Sequence, residues 1–130
     1  MSILLAFLLL ASPESKQVIV NPSEVKWTHD KDGPPEAESA LVRADETTHG
    51  LELLVRYEGG HVFKPHWHTS NERMILFEGR LSINGKMLEP GGVAYLPARE
   101  LQTLVCVSKT RCSFYIQWDG DPKSQPPPVQ

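Results

Sequence analysis

The chain has 130 residues and a formal net charge of −3. That length bounds it to one domain, able to bury roughly two thirds of its unfolded surface. With 13 Lys and Arg against 16 Asp and Glu there is no basic stripe, which argues against nucleic acid as a partner; 11 prolines and 9 glycines favour turns over helices.

Residues 3–11 read ILLAFLLLA. The run is too short to span a bilayer, which takes about 20 apolar residues, so no membrane span is expected. It fits the hydrophobic region of a secretory signal followed by SPES as a cleavage zone, although no Lys or Arg stands beside Met1. Residues 1–15 are read as a signal segment, 16–119 as the folded domain and 120–130 as a proline-rich tail. The expected location is secreted or periplasmic.

From there on, short apolar runs are broken by turn signals every 8 to 12 residues or so, the rhythm of a sandwich or barrel. The expected strands are 17–20, 24–28, 39–43, 51–57, 62–67, 73–78, 80–83, 92–96, 102–107 and 112–118. HDKDGPPEAE at 29–38 and ADETTHG at 44–50 read as loops. No amphipathic helix of three turns can be drawn.

Within 60–79 the order is Gly60, His66, Trp67, His68, Glu72, Gly79. On an extended strand side chains alternate faces, so His66 and His68 point one way and Trp67 the other. Two imidazoles with a carboxylate just past a short turn can close on one metal ion, and that donor set suits iron, manganese, copper, nickel or zinc. By itself an H-x-H pair is often accidental in a chain with 5 histidines. His61 has the wrong parity to join the set on a straight strand. Trp67 has three readings: the other sheet face, a dimer contact, or a substrate platform.

Further along, Asn84-Gly85 tolerates positive φ at both positions of a tight hairpin. LEPGG makes a second turn. Cys106 and Cys112 flank VSKTR. If Val107 pairs with Arg111, the two cysteines lie opposite each other, with Cα atoms about 4.5 to 5.5 Å apart. A disulfide in an oxidising compartment and two reduced buried thiols are both open. Gln102, Leu104 and Cys106 share a face. If Leu104 and Phe114 face the core, Gln102 points inward near the barrel mouth. The tail, GDPKSQPPPVQ, lacks apolar content to dock and is expected to be extended and mobile.

The stretch GHVFKPHWHTSNERMILFEG resembles the first motif of the cupin superfamily at every defining position. The second motif is degenerate: after Gly91 and Pro97, Arg99 stands where the family has glycine, and Gln102 where it has a third histidine. The resemblance covers roughly residues 50 to 118. It implies an all-β cupin jelly roll of two Greek keys. Residues 65–101 are also similar to a clade of small cupins related to a plant DNA-damage-tolerance protein. The same stretch resembles secreted copper cupins that attack cellulose oxidatively.

The resemblance also implies one divalent metal ion per chain, held by His66, His68, Glu72 and Gln102. Copper is favoured, iron or manganese next. Glu72 either ligates or stands one step back, and as the catalytic residue it tunes the metal or shuttles protons. Gln102 gives an amide oxygen or hydrogen-bonds a water. Losing the third histidine lowers metal affinity. The expected activity is oxidation with O2 or peroxide of cellulose, another polysaccharide or a small molecule. The rivals are a non-catalytic binding or sensing cupin and a redox-neutral sugar isomerase. Cupins often dimerise by sharing edge strands, and QVIVNPSEVKW at 17–27 is the expected exchange segment of a homodimer. Ser-His-Asp hydrolysis and a glycine-rich phosphate loop have no support.

Overall fold

The structure is a computed structural model that describes residues 16–29 and 37–128. The expected signal segment 1–15 lies outside the described residues, as does most of the expected 29–38 loop.

The strands are β1 (Thr28–His29), β2 (Glu38–Ala44), β3 (Leu51–Tyr57), β4 (Trp67–His68), β5 (Glu72–Glu78), β6 (Leu81–Ile83), β7 (Lys86–Leu88), β8 (Val93–Leu96), β9 (Leu104–Cys106), β10 (Cys112–Trp118) and β11 (Ser124–Gln125). One sheet runs β1-β2-β3-β10-β5-β8, a second β7-β6-β9, and β11 pairs with β4. All pairings are antiparallel. The only helical turn among the described residues is a 3-10 turn at Pro22–Glu24, and none of them forms a helix long and apolar enough to cross a membrane.

The period-2 rule builds the core. Along β10, Cys112, Phe114, Ile116 and Trp118 are buried while the residues between are not. Glu72, Met74 and Leu76 do the same on β5, as do Leu81 and Ile83 on β6 and Leu104 and Cys106 on β9. The apolar members interlock in one cluster between the two main sheets. Met74, Leu76 and Leu81 are fully buried, and each is worth about 2 to 3 kcal/mol of apolar transfer. The result is the all-β jelly roll.

The glycine at the end of the histidine motif has a steric reason. Gly79 has φ +84°, and a Cβ there would lie 2.5 Å from the Arg111 carbonyl oxygen. The hairpin between β6 and β7 turns on Asn84 and Gly85, both at positive φ.

Several expectations change. Residues 17–20 are not a strand; they run exposed, with Ile19 67% accessible. The 24–28 strand is the 3-10 turn followed by β1. The 62–67 strand is reduced to isolated bridges at Val62 and His66, with β4 beginning only at Trp67. Pro65 interrupts it, since a proline has no N–H for a ladder. The segment after the Asn84-Gly85 turn returns as β7.

Cys106 and Cys112 form a disulfide with Cα atoms 5.9 Å apart, but their strands are not hairpin partners. β9 pairs with β6 in the small sheet and β10 with β3 and β5 in the large one. The bridge therefore staples the two sheets together at one corner. The tail is not loose either: β11 runs along β4.

Candidate metal-binding cavity

Two stretches distant in sequence are laced together around the histidines. His66 and Gln102 form an antiparallel bridge, with His66 N–H donating to Gln102 O at 3.2 Å and Gln102 N–H to His66 O at 2.7 Å. The Arg99 N–H donates to His68 O at 2.8 Å, and the Ala98 N–H donates to Asn71 Oδ1 at 2.9 Å. Arg99 achieves this with φ +69°, a left-handed conformation that costs a side-chain-bearing residue about 1 to 2 kcal/mol. Glycine is the residue that adopts it freely.

The two imidazoles are oriented by backbone. His66 Nδ1 lies 2.7 Å from the Lys64 carbonyl, and His68 Nδ1 lies 2.9 Å from that of Pro122. A carbonyl oxygen only accepts, so each Nδ1 carries a proton, and in the neutral ring Nε2 is the nitrogen with the lone pair. The rings meet edge to face with centroids 4.8 Å apart. Burial pushes the His68 pKa below the ordinary histidine value; the Pro122 carbonyl opposes this and neighbouring His66 adds to it. His68 is thereby kept neutral, the form that ligates metals.

Glu72 opens β5 and is 1% exposed. Its Oε1 stands 3.9 Å from His68 Nε2 and accepts a hydrogen bond from Gln102 Nε2 at 2.8 Å. Desolvation raises its carboxyl pKa to about 7, although the Gln102 amide and the nearby Trp118 indole favour the charged form. Among the described residues the buried side-chain atom Gln102 Oε1 has no hydrogen-bond partner. An orphaned buried acceptor costs about 1 to 3 kcal/mol, which a cation or a water would recover.

The structure thus brings together all four residues singled out in the sequence. Among the described residues no three His, Cys, Asp or Glu side chains form a ready metal cluster, and Glu72 Oε1 is engaged by Gln102. The donor chemistry nonetheless fits a divalent ion: two free imidazole nitrogens, one acid and one unsatisfied amide oxygen.

His66, His68 and Glu72 line one part of a cavity of about 790 Å³, whose other walls include Tyr57, Phe63, Met74, Phe114, Ile116 and Trp118. His61 is not part of the donor group; it stacks on Tyr57 at 4.8 Å. Trp118 packs against the His68 ring with centroids 5.3 Å apart. Sequence reasoning missed the Pro122 carbonyl, and no signal could have exposed it, since every residue carries a carbonyl.

Comparisons agree with the fold. Residues 15–119 match the family model of the ChrR Cupin-like domain. No curated protein is found to match. Among solved structures, an RmlC-like cupin protein from Ralstonia eutropha JMP134 aligns with TM-score 0.72 and 13% identity, over 81% of this chain and 69% of that one. An acetylacetone dioxygenase from Acinetobacter johnsonii aligns with TM-score 0.69 and 12% identity, over 84% and 76%. Rhodobacter sphaeroides SigE in complex with the anti-sigma ChrR aligns with TM-score 0.64 and 16% identity, over 76% and 51%. Identities this low speak for a shared fold alone.

Proposed function

Because the chain belongs to the ChrR Cupin-like domain family, we propose that it is a metal-dependent oxidoreductase acting on a small, largely apolar organic substrate. The observation that carries this reading is the pair of imidazoles, each oriented by a backbone carbonyl, beside a buried acid in an aromatic-walled cavity.

One divalent ion would be held by His66 Nε2, His68 Nε2 and Glu72, with Gln102 Oε1 as a weak fourth donor. When bound, the ion supplies activation of O2 or peroxide through positions the protein leaves open. The chain's own residues do the rest. In the metal-free protein Glu72, its pKa raised by burial to about 7, exchanges its proton around neutral pH, and a bound cation would favour the carboxylate form. The apolar walls exclude water and orient the substrate's hydrocarbon part.

Copper is the first metal to test and iron or manganese the next. The disulfide supports a secreted or periplasmic setting, where oxidised copper is more accessible than ferrous iron. A recessed apolar cavity suits a small molecule better than a cellulose chain, so cellulose enters as a competing substrate. The exposed apolar run at 17–20 supports the homodimer by strand exchange, and light scattering would read its mass.

The test is oxygen and peroxide consumption by protein loaded in turn with copper, iron or manganese, with a reductant, small organic substrates or swollen cellulose. Substrate-dependent consumption is expected, with His66→Ala reducing it at least about 100-fold. A fully loaded protein that consumes neither oxidant favours a second reading, a non-catalytic sensing module. That reading is supported by the ChrR Cupin-like match and by the fold shared with the SigE–ChrR complex.

A further inference from the structure

Residues 121–126 are bound to the histidine strand by backbone pairing and by side-chain hydrogen bonds. Ser124 pairs with His68 and Gln125 with Trp67. Trp67 Nε1 donates to Pro126 O at 3.0 Å, and Thr69 Oγ1 donates to Asp121 O at 2.7 Å. The Thr69 N–H donates to Lys123 O at 3.1 Å. Between these anchors the Pro122 carbonyl accepts from His68 Nδ1. Ser124 also lines the cavity.

The two histidines differ in where their carbonyl comes from. His66 takes it from Lys64, 2 residues away, so local chain geometry supplies it. His68 takes it from Pro122, 54 residues away, so it exists only while the tail is docked. Trp67 and His68 point to opposite faces, so the tail touches both sides of the motif.

We propose that residues 121–126 are a positioning strap, anchored by Trp67 and Thr69, whose Pro122 carbonyl fixes the orientation and tautomer of His68. Prolines at 122 and 126 stiffen the segment and reduce the entropy lost on docking. The strap's importance for metal binding rests on the reading of His68 as a ligand; its effect on the free imidazole does not.

The test uses the full chain carrying Trp67→Phe and Thr69→Val, which removes both anchors without touching a donor residue. Long-range proton–nitrogen NMR of the metal-free protein reads the imidazole tautomers, and amide relaxation of residues 123–125 reads docking. In the parent protein the neutral form of both histidines should be the Nδ1–H tautomer. In the variant, residues 123–125 should be released and His68 should become a mixture with the Nε2–H form, while His66 stays unchanged. Zinc affinity, measured by competition with a chromophoric chelator, should fall about 10-fold or more. Should the double variant not fold, Trp67→Phe alone should show the same His68 change to a smaller extent. The proposal is overturned if His68 keeps one tautomer with the tail released, or if the tail stays docked without either anchor. A His68 change in a protein whose parent form binds no zinc supports the strap and removes the metal reading instead.

Discussion

Glu72 is the residue where fold stability and chemistry oppose each other. In the metal-free protein its carboxyl pKa is pushed to about 7, chiefly by burial, against an ordinary 4.5. The folded state therefore binds this proton more tightly than the unfolded state. Its contribution to stability is fully present below about pH 4.5 and is lost as pH rises through 7. The cost of the buried charge approaches about 3 kcal/mol at alkaline pH. Glu72→Gln removes the titration while keeping the acceptor for Gln102. The metal-free variant should be more stable than the parent protein at pH 8, by up to that amount, and indistinguishable near pH 4.5. Urea midpoints across that range check it; a stability gain independent of pH would contradict the burial argument. Arg99 makes a second residue-scale case. Its φ of +69° strains a side-chain-bearing backbone, so Arg99→Gly should raise stability by about 1 kcal/mol after glycine's own entropy cost is deducted. A loss of stability on urea denaturation would mean that the arginine side chain makes a stabilising contact.

Turns and staples act at the scale of elements. Gly85 and Gly79 both have positive φ, yet nothing lies within 4 Å of a Cβ at Gly85, while one at Gly79 meets the Arg111 carbonyl and the Cys112 sulfur. Gly85→Ala should cost about 1 kcal/mol, and Gly79→Ala clearly more, since backbone must move. Equal costs in thermal denaturation would contradict the steric distinction. The Cys106–Cys112 disulfide closes a short loop of separation 6, which corresponds to roughly 2 kcal/mol of chain entropy. Reduction should lower the unfolding free energy by about that amount. Strand 112–118 was legible because its buried residues alternate, and strand 51–57 because it is a short apolar-rich run bounded by turn signals. The stretch 62–67 was not, because its pairing is broken around Pro65 into isolated bridges at Val62 and His66. The disulfide's corner position was hidden as well: VSKTR looks like a hairpin turn, and only the pairing of β9 with β6 shows that it crosses between sheets.

In the whole molecule, the jelly roll brings His66, His68, Glu72 and Ser124 to the wall of one cavity, with Gln102 bonded behind them to Glu72 and His66. The convergence of His66, His68, Glu72 and Gln102 was legible from spacing and parity together with the family resemblance. The direction of the Gln102 amide, its nitrogen on Glu72 and its oxygen unpartnered, was not, because it depends on burial and on a neighbour 30 residues away. The strap was hidden for a similar reason: its contacts to the histidine strand run through backbone carbonyls, which carry no sequence signature. The central claim is that two imidazole nitrogens and their acidic neighbour hold one ion inside this cavity. Anomalous diffraction from crystals of the natively purified protein tests it most directly. One peak per chain is expected, within bonding distance of Nε2 of both His66 and His68. A well-ordered structure with full donor density and no peak there, after soaking with copper, iron and manganese in turn, would contradict it.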